Sequence, residues 1–507
     1  MGLCVLWPGL SESVCYETSR SVACVSTMLR SDSVEKNGSM SPSDRPLIAI
    51  IGGGASGTLL AWNLRRLHVR AQIIIIDPAD RPAVGLAYST LSSCHFLNVP
   101  AGGMSADPGD PEHFLRWLRK HHDPDVTSGQ FMQRAVFGRY LSALWAQARP
   151  EWRQTRVLSC ERVAGRLELT LEDGDVLRAD RVVLATGNYG PAPVARVTSE
   201  LARSGRYHSS GWDNGFYERV GPEDAVVLIG TGLTSLDVLM RLRENGHRGR
   251  VVALSRHGWC PERHAPSFAA TTDIIPEETP ATALAYFRAF RNSLAWGISW
   301  RSAVDALRPR INLLWQALDL TEKKRFRRHL QRRWDIVRHR IAPDVADFMS
   351  VELENGTLVC WRGQVTRLDF ESAQVFLQAR CPAGVFTLSA DHVVNCTGPS
   401  RSYDQMPDTF PYELLRTGMV RGTALGGLHC RDDGALTDAG GQCFGDLFAL
   451  GPMRWGTLFE TTAIPEIRRQ AADLAALLTE RCGYDVQEAP CNVVLPEEGL
   501  RRTGYGS

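Results

Sequence analysis

Two glycine-rich segments carry the residue types that could bind phosphate. The first, IIGGGASG at residues 50–57, spaces Gly52, Gly54 and Gly57 as G-x-G-x-x-G. In this pattern the first glycine permits a tight turn, the second lets the backbone approach a pyrophosphate, and the third lets a helix pack on a strand. Backbone N–H groups at the positive end of the helix dipole then face the phosphates, and Ser56 lies among them. The segment therefore predicts a dinucleotide site.

The elements around this loop are those that such a site needs. PLIAII is an apolar, β-branched run that predicts a buried strand, and GTLLAWNLRRL continues at helical spacing. AQIIIID then predicts a second buried strand that ends in Asp77. An acid at this place accepts hydrogen bonds from the ribose hydroxyls of an adenine dinucleotide. The alternative is a strand-to-helix turn that holds no ligand.

A second copy of the pattern occupies residues 225–245. It contains Gly230, Gly232 and then Ser235, which is small enough for the third position. The strand that follows ends in Arg256 rather than in an acid. A guanidinium there favours a 2′-phosphate, because it makes bidentate charge-assisted bonds, and so indicates NADPH over NADH. The alternative is an arginine that only faces solvent.

Two such sites in one chain indicate a resident redox cofactor and a visiting nicotinamide. The first copy, with its acid, would hold FAD, and the second would hold NAD(P)H. RVVLATG at 181–187 and LSADHVVNCTGP at 388–399 are similar strand ends with small residues, and they flank the second copy. We therefore predict an α/β chain in which one Rossmann-like domain is inserted into another.

The predicted organisation has five parts. These are a disordered extension (1–45), the first part of the FAD domain (46–222), the NAD(P) domain (223–395) with a helical insertion at about 280–350, the second part of the FAD domain (396–485) and a tail (486–507). The extension lacks the basic start and apolar run of a secretory signal, and Met40 is an alternative start.

The C-terminal part predicts a closing strand, LFALG, and an amphipathic helix from about Ile464. The N-terminus of this helix would lie near the flavin, where Asp446, Thr461 and Thr462 are polar candidates for cofactor binding. An ordinary closing strand and helix is the alternative.

Basic residues after the second copy are the candidates for contact with substrate or coenzyme. Arg263 and His264 lie just beyond its second strand, where a loop could face the nicotinamide. Arg338, His339 and Arg340 belong to an arginine-rich helical run that we expect mainly on a solvated face. If they reached the site, they would bind an anion. No other catalytic acid, base or nucleophile is predicted.

Composition excludes several classes of function. Lysine and arginine number 57 against 56 acids, and the net charge of +1 argues against nucleic acid or a membrane surface as partner. The 13 cysteines show no C-x-x-C spacing, which predicts free thiols in a reducing, cytoplasmic compartment and no metal site. No run of 18 apolar residues occurs, and oligomeric state is left open.

The order of these motifs resembles a bacterial family of FAD/NAD(P)-binding proteins that includes FAD-dependent urate hydroxylases and a nitrosuccinate-forming aspartate N-monooxygenase. The narrower matching segments are VGLAYSTLSSCHFLNVPAGGMSADP (84–108), FGRYL (137–141), RRWDIVRHRIAP (332–343) and LFETTAIPEIRRQA (458–471). The resemblance extends over about residues 46–480. It implies that Asn98 and Pro100 belong to the flavin pocket. Some relatives use NADH, whereas Arg256 here favours NADPH.

The resemblance implies a monooxygenase that acts with O2, through a C4a-hydroperoxyflavin, on a small polar substrate. Hydroxylation of urate to 5-hydroxyisourate is the specific expectation. N-oxygenation of an amino acid such as aspartate, a flavin-linked NAD(P)H reductase without oxygen insertion, and a nucleotide sensor without turnover are the alternatives.

Substitutions in the first loop test the FAD assignment. We expect Gly54→Val to release the flavin, because a branched side chain blocks the approach of the pyrophosphate, and Gly53→Ala to keep it, because the motif does not require that glycine. The flavin absorbance of each purified variant measures the outcome. A yellow Gly54→Val protein would contradict the assignment.

Overall fold

A computed structural model describes residues 45–482; the predicted extension up to residue 44, its alternative start at Met40 and the predicted tail at 486–507 lie outside the described residues. The strands are β1 (Leu47–Ile51), β2 (Gln72–Ile76), β3 (Glu151–Arg153), β4 (Val157–Val163), β5 (Arg166–Leu171), β6 (Val176–Ala179), β7 (Arg181–Leu184), β8 (Tyr207–His208), β9 (Val226–Ile229), β10 (Val251–Ser255), β11 (Leu358–Arg362), β12 (Gln364–Glu371), β13 (Gln374–Cys381), β14 (Gly384–Ala390), β15 (His392–Asn395) and β16 (Leu447–Ala449).

The helices are α1 (Ala55–Arg66), α2 (Gly85–Tyr88), α3 (His113–His121), α4 (Arg134–Ala148), α5 (Ser199–Arg203), α6 (Asn214–Arg219), α7 (Leu233–Glu244), α8 (Ala283–Ala295), α9 (Trp300–Leu307), α10 (Ile311–Ala317), α11 (Leu320–His329), α12 (Gln331–Arg338), α13 (Pro343–Glu354), α14 (Phe410–Arg416) and α15 (Ile464–Cys482). Among them, none combines the length and the apolar character that crossing a bilayer needs.

The first sheet has five parallel strands in the order β16-β7-β1-β2-β3. Every residue of the central strand β1 is buried, as its unbroken apolar sequence predicts. Ile48 and Ile50 pack against α1, α4 and α15 on one face. Leu47, Ala49 and Ile51 face the antiparallel strands β4–β6 and helix α14 on the other. The sheet is therefore the middle layer of three.

The second sheet repeats this plan with the order β11-β10-β9-β15-β8. Its central strand β9 places Val226 and Leu228 against a helical layer that includes α7. Val227 and Ile229 face the antiparallel strands β12–β14. Strand β9 thus corresponds to β1, and β15 to β7, because each pair occupies the same position in its sheet.

The chain passes from β7 into the second sheet and returns to the first only at β16. The predicted fold class, one Rossmann-like unit inserted into another, is confirmed. Helices α8–α13 form the helical insertion between β10 and β11. The second sheet also takes β8 from residues before 223, since β8 pairs with β15.

In each sheet, the first glycine of the loop makes a very close backbone contact with the end of a neighbouring strand. These are the strands β7 and β15, which end in the similar small residues noted in the sequence. Gly52 has a φ of +108°, and a Cβ there would lie 2.4 Å from the carbonyl oxygen of Ala185. Gly230 has a φ of +130°, and its Cβ would lie 2.5 Å from the carbonyl oxygen of Cys396. Only glycine fits either position.

The third position of the motif differs between the copies. A Cβ on Gly57 would lie 2.1 Å from the carbonyl oxygen of Gly52. In the second copy the side chain of Ser235 is accommodated, and its Oγ donates a 2.7 Å hydrogen bond to the carbonyl of Gly232. Helix α1 therefore lies closer to its loop than α7 does.

This difference predicts unequal responses to small substitutions. We expect Gly57→Ala to lower the free energy of unfolding by about 1–3 kcal/mol and to weaken flavin retention, because α1 must move away from the loop. Ser235→Ala, at the equivalent position of the second copy, should cost less, about 0.5–1.5 kcal/mol, since it adds no volume and removes only the hydrogen bond of the hydroxyl. Thermal unfolding and flavin content measure both effects. Equal stability of the two variants would contradict the close packing at Gly57.

Candidate active site

The first glycine loop leaves the start of α1 open. Gly54 precedes the helix, no side chain caps its N-terminus, and its first turn contains no acid. The helix dipole and its free N–H groups therefore face outwards with no competing anion. A Cβ on Gly54 would lie 3.4 Å from the Cα of Gly85, so Gly54 and α2 approach closely on the other side. This arrangement suits the close approach of a pyrophosphate.

Asp77 holds the loop as well as facing the cavity. Its Oδ2 accepts a 2.6 Å hydrogen bond from the N–H of Gly53, and its Oδ1 accepts one of 2.8 Å from Ala79. Each carboxylate oxygen can accept a further bond, so a ribose can still bind. A Cβ on Gly53 would lie 3.2 Å from the Cβ of Asp77. The Gly53→Ala protein can therefore keep its flavin, as predicted, if Asp77 moves slightly to make room for the added methyl group.

A cavity of about 750 Å³ begins at this loop and extends to the second domain. From the first domain it is lined by the loop, Asp77, helix α2 and the start of α15. From the second it is lined by Trp212, Asn395 and Gly398. Its size lies within the range of cofactor sites, and it is the space in which two nucleotides could meet. The uncapped helix, the acid and the cavity together fit the phosphate and ribose of FAD.

Only some of the predicted binding residues line this cavity. Gly52, Gly54, Ser56 and Asp77 do, together with Thr462 from the C-terminal candidates. The cavity lining does not include Gly57, Gly230, Gly232, Ser235, Arg256, Asn98, Pro100, Asp446 and Thr461. Gly57 lies behind the loop that it supports.

Thr461 is completely buried and positions the backbone beside the cavity. Its Oγ donates a 2.6 Å hydrogen bond to the carbonyl of Gly451 and accepts one of 3.0 Å from Gln470. Gln470 in turn accepts a 3.0 Å bond from the N–H of Gly451. A Cβ on Gly451 would lie 2.6 Å from the Oγ of Ser56. Thr461 therefore holds the segment after β16 against the first loop, with its side chain directed away from the cavity.

Asp446 faces away from the cavity. Its carboxylate forms two hydrogen bonds, of 2.8 and 2.9 Å, with the guanidinium of Arg162 on β4. Arg162 also lies over the ring of Phe444, 3.8 Å from its centroid. The sequence-based assignment of Asp446 to the cofactor is therefore corrected to an ion pair that joins the antiparallel layer to β16.

His264 and Asn98, far apart in sequence, are brought together. The Nε2 of His264 lies 3.3 Å from the carbonyl oxygen of Asn98, and its ring packs at 5.0 Å from that of Phe131. Pro100 begins the short 3₁₀ helix Ala101–Gly103 two residues further on. Arg263 is exposed instead and pairs with Asp347. Of the two catalytic candidates, only His264 lies between the domains.

The arginine-rich run does not lie entirely on a solvated face. Arg338 is 7% exposed and its Nε lies 3.2 Å from the Oε1 of Glu460, which is itself 4% exposed in its side chain. Arg340 is also buried and pairs with Asp305. Burial and the neighbouring Arg338 and Arg401 lower the pKa of His339 to about 3. The Arg338–Glu460 pair anchors the helical insertion to the segment before α15, whereas Arg340 and Asp305 join two parts of the second domain to each other.

The second loop has its own electropositive surroundings. Burial, followed by the charges of Arg256, Arg332, Arg362 and Arg333, lowers the pKa of His257. Among residues 45–482, none of these four arginines takes part in an ion pair with an acid. We call them the arginine cluster. Such a group is suited to a phosphate.

One member of the arginine cluster, Arg332, is hydrogen-bonded to the second glycine loop. Arg332 on α12 donates a 3.3 Å hydrogen bond to the Oγ of Thr231, in the glycine loop, and one of 2.8 Å to the carbonyl of Trp259. Arg333 lies 5.5 Å from the ring centroid of Trp259. Arg256 stands out in the sequence because it directly follows β10. Arg332 and Arg333 do not, because nothing in their spacing shows that the insertion folds back onto this loop.

Stability should depend on pH because His264 is held neutral. Burial, followed by Arg340, lowers its pKa from 6.5 to about 4. Between these values the unfolded chain binds a proton that the folded chain does not, so stability is complete above about pH 6.5 and falls as the pH drops towards 4. We expect His264→Gln to make this decline shallower, and His329→Gln, at an exposed site, to leave it unchanged. Thermal unfolding between pH 4 and 8 measures both slopes; identical slopes would contradict the assignment.

Comparison with known proteins agrees with this architecture. Residues 49–189 match the model of a family described as FAD-NAD(P)-binding. YdhS, an uncharacterized protein of Escherichia coli (strain K12), is 25% identical over 214 residues, which is 38% of each chain. The chain thus spans about 38% of the length of that curated relative.

Solved structures with this fold include enzymes that use two nucleotides. The ornithine N-hydroxylase KtzI of Kutzneria sp. 744, with reduced FAD, NADP+ and L-ornithine, has a TM-score of 0.61 at 14% identity, over 86% of this chain and 99% of that one. L-lysine 6-monooxygenase from Pseudomonas syringae has a TM-score of 0.61 at 15% identity and the same coverage. The bacillithiol disulfide reductase Bdr of Staphylococcus aureus has a TM-score of 0.52 at 12% identity, over 86% and 98%. This chain has the fold of these solved structures, and its residues 49–189 match the FAD-NAD(P)-binding family model.

Proposed function

We propose that this protein is an FAD-dependent, NADPH-consuming monooxygenase acting on a small polar substrate. The observation that carries the proposal is the continuous cavity of about 750 Å³, which joins the first glycine loop to Asn395 and Gly398 of the second domain. A coenzyme held by the second domain could thus reach a flavin held at the first loop. When bound, FAD supplies the capacity to accept a hydride and to activate O2.

The chain's own residues bind and shield these groups. The N–H groups at the start of α1 would hold the pyrophosphate, and Asp77 the ribose. Thr462 and Ile464, at the start of α15, line the cavity beside the first loop, where Thr461 and Gln470 fix the backbone. Val84 and Leu86 add apolar surface to the cavity wall. Exclusion of water from this wall once both nucleotides are bound would favour transfer of oxygen to the substrate over wasteful loss of reducing power.

Two lines of support favour oxygenation over simple reduction. Structural neighbours with TM-scores of about 0.6 are named as ornithine and lysine N-oxygenating enzymes. A dithiol reductase needs a thiol pair beside the flavin, and no cysteine in residues 45–482 lines the large cavity. The resemblance in sequence adds urate as the first substrate to test, with an amino acid such as aspartate as the alternative. Localisation in the cytoplasm remains a prediction.

Oxygen consumption tests the proposal. Purified yellow protein is given NADPH or NADH with urate, aspartate, ornithine, lysine or cadaverine in an oxygen electrode, and products are identified by mass spectrometry. We expect one substrate to raise O2 uptake above the rate with coenzyme alone and to gain one oxygen atom. If none does, while a quinone or disulfide is reduced without O2, the protein is a reductase and the proposal fails.

The arginine cluster predicts the coenzyme preference. We expect Arg256→Ser to raise the KM for NADPH by about tenfold or more, since a hydrogen bond to a charged group contributes about 1.5–3 kcal/mol, while the KM for NADH changes little. Arg250→Ser, at the opposite end of β10, is the matched control and should alter neither value. Steady-state oxidation of both coenzymes measures these constants. A parallel loss with NADH would show that Arg256 does not read the 2′-phosphate.

A further inference from the structure

Two cysteines that are distant in sequence lie in contact within the second domain. The sulfur atoms of Cys260 and Cys360 are 3.3 Å apart, although 100 residues separate them. Cys360 lies in the middle of β11, in register with Ala253 of β10. Cys260 lies in the segment that follows β10. No other hydrogen-bonded pair of cysteines occurs in residues 45–482.

The two cysteines flank the helical insertion in the sequence. Helices α8–α13 all lie between Cys260 and Cys360 in the chain. A covalent bond between the two sulfurs would therefore close the insertion into a loop anchored on the second sheet. Such a loop strongly restricts the unfolded chain, and the restriction grows with the number of residues enclosed.

The local chemistry makes Cys260 the more reactive partner. The two thiols share a hydrogen bond in which either sulfur can be the donor. The interaction with Cys360 lowers the pKa of Cys260, and the charge of Arg332 lowers it further against the effect of burial. The same interaction and burial raise the pKa of Cys360. Both residues are half-buried. A thiolate next to a second thiol is the arrangement in which sulfenic acid is converted to a disulfide.

The pair is separate from the large cavity. Neither cysteine lines the 750 Å³ cavity. Both instead border a small void of about 10 Å³, together with Thr231 and Ser235 of the second glycine loop. The void is too small for a ligand, so the thiols face each other and the back of the loop. The pair is therefore not placed to exchange electrons with a flavin in the large cavity.

We propose that Cys260 and Cys360 are a peroxide-sensitive modification site, which forms a reversible disulfide that closes the helical insertion. The Cys260 thiolate attacks hydrogen peroxide, the O–O bond breaks, and hydroxide leaves and is protonated to water. Cys260 is then a sulfenic acid. The sulfur of Cys360 attacks that of Cys260, the S–O bond breaks, and the departing hydroxide takes the thiol proton as a second water. Two thiols are oxidised and one peroxide is reduced.

Mass spectrometry and limited proteolysis of the full chain test the proposal. After hydrogen peroxide, the intact mass should fall by two hydrogen atoms, and a digest should contain a peptide pair that joins Cys260 to Cys360. Trypsin should cut the arginine-rich insertion, and the two pieces should stay together on a denaturing gel until a thiol reductant separates them. Cys260→Ser and Cys360→Ser should each abolish the linked peptides and the joined band. Cys443→Ser, at another half-buried thiol, should keep both.

Two results would overturn the proposal. One is an oxidised parent protein in which Cys260 and Cys360 carry added oxygen or remain reduced, with no linked peptide. The other is a joined band that persists in both serine variants, because a different pair would then be responsible. Circular dichroism of each variant before oxidation establishes that it is folded. Since neither readout depends on turnover, the result stands apart from the oxygenase assignment.

Discussion

The close backbone contact at the first glycine of each loop is the constraint on which the rest of the structure depends. Gly52 lies against the carbonyl of Ala185, and Gly230 lies against that of Cys396. In each case the residue that follows the strand next to the central one, β7 or β15, packs against the turn that begins the glycine loop. Positive φ and the absence of a Cβ are both needed. This contact fixes where the loop, the following helix and the adjacent strand end meet.

Sequence patterns predict the parts of the fold that depend on neighbours along the chain. The unbroken apolar runs of β1 and β2 and the repeated strand ends lie where the local sequence pattern predicts them. The sequence predicts a place for Asp77 beside the loop because its distance from the loop reflects one strand-turn-helix-strand unit, and Asp77 lines the cavity there. Asp446 was misassigned because its partner, Arg162, is 284 residues away. A carboxylate that is committed to an ion pair looks, in sequence, the same as one that is free for a ligand.

The helical insertion also depends on partners that are distant in sequence and that the sequence pattern does not reveal. Its aromatic and basic residues predict helices, yet the buried state of Arg338 depends on Glu460, which lies in another part of the chain. Burying an arginine and a glutamate costs desolvation energy that only a well-placed partner offsets. Loss of either partner would leave an isolated buried charge. The pair therefore makes the position of the insertion specific, and it does so beside the segment that leads into α15.

The equal strand orders of the two sheets have a consequence for how this fold can diversify. In both, a long crossover follows the second strand, at 77–150 in the first sheet and 256–357 in the second. The two crossovers meet where His264 reaches the backbone of Asn98. Neither takes part in the glycine contacts at the centre of its own sheet. Changes within these two crossovers can therefore alter the cavity wall and the arginine cluster while the glycine contacts at the centre of both sheets stay intact.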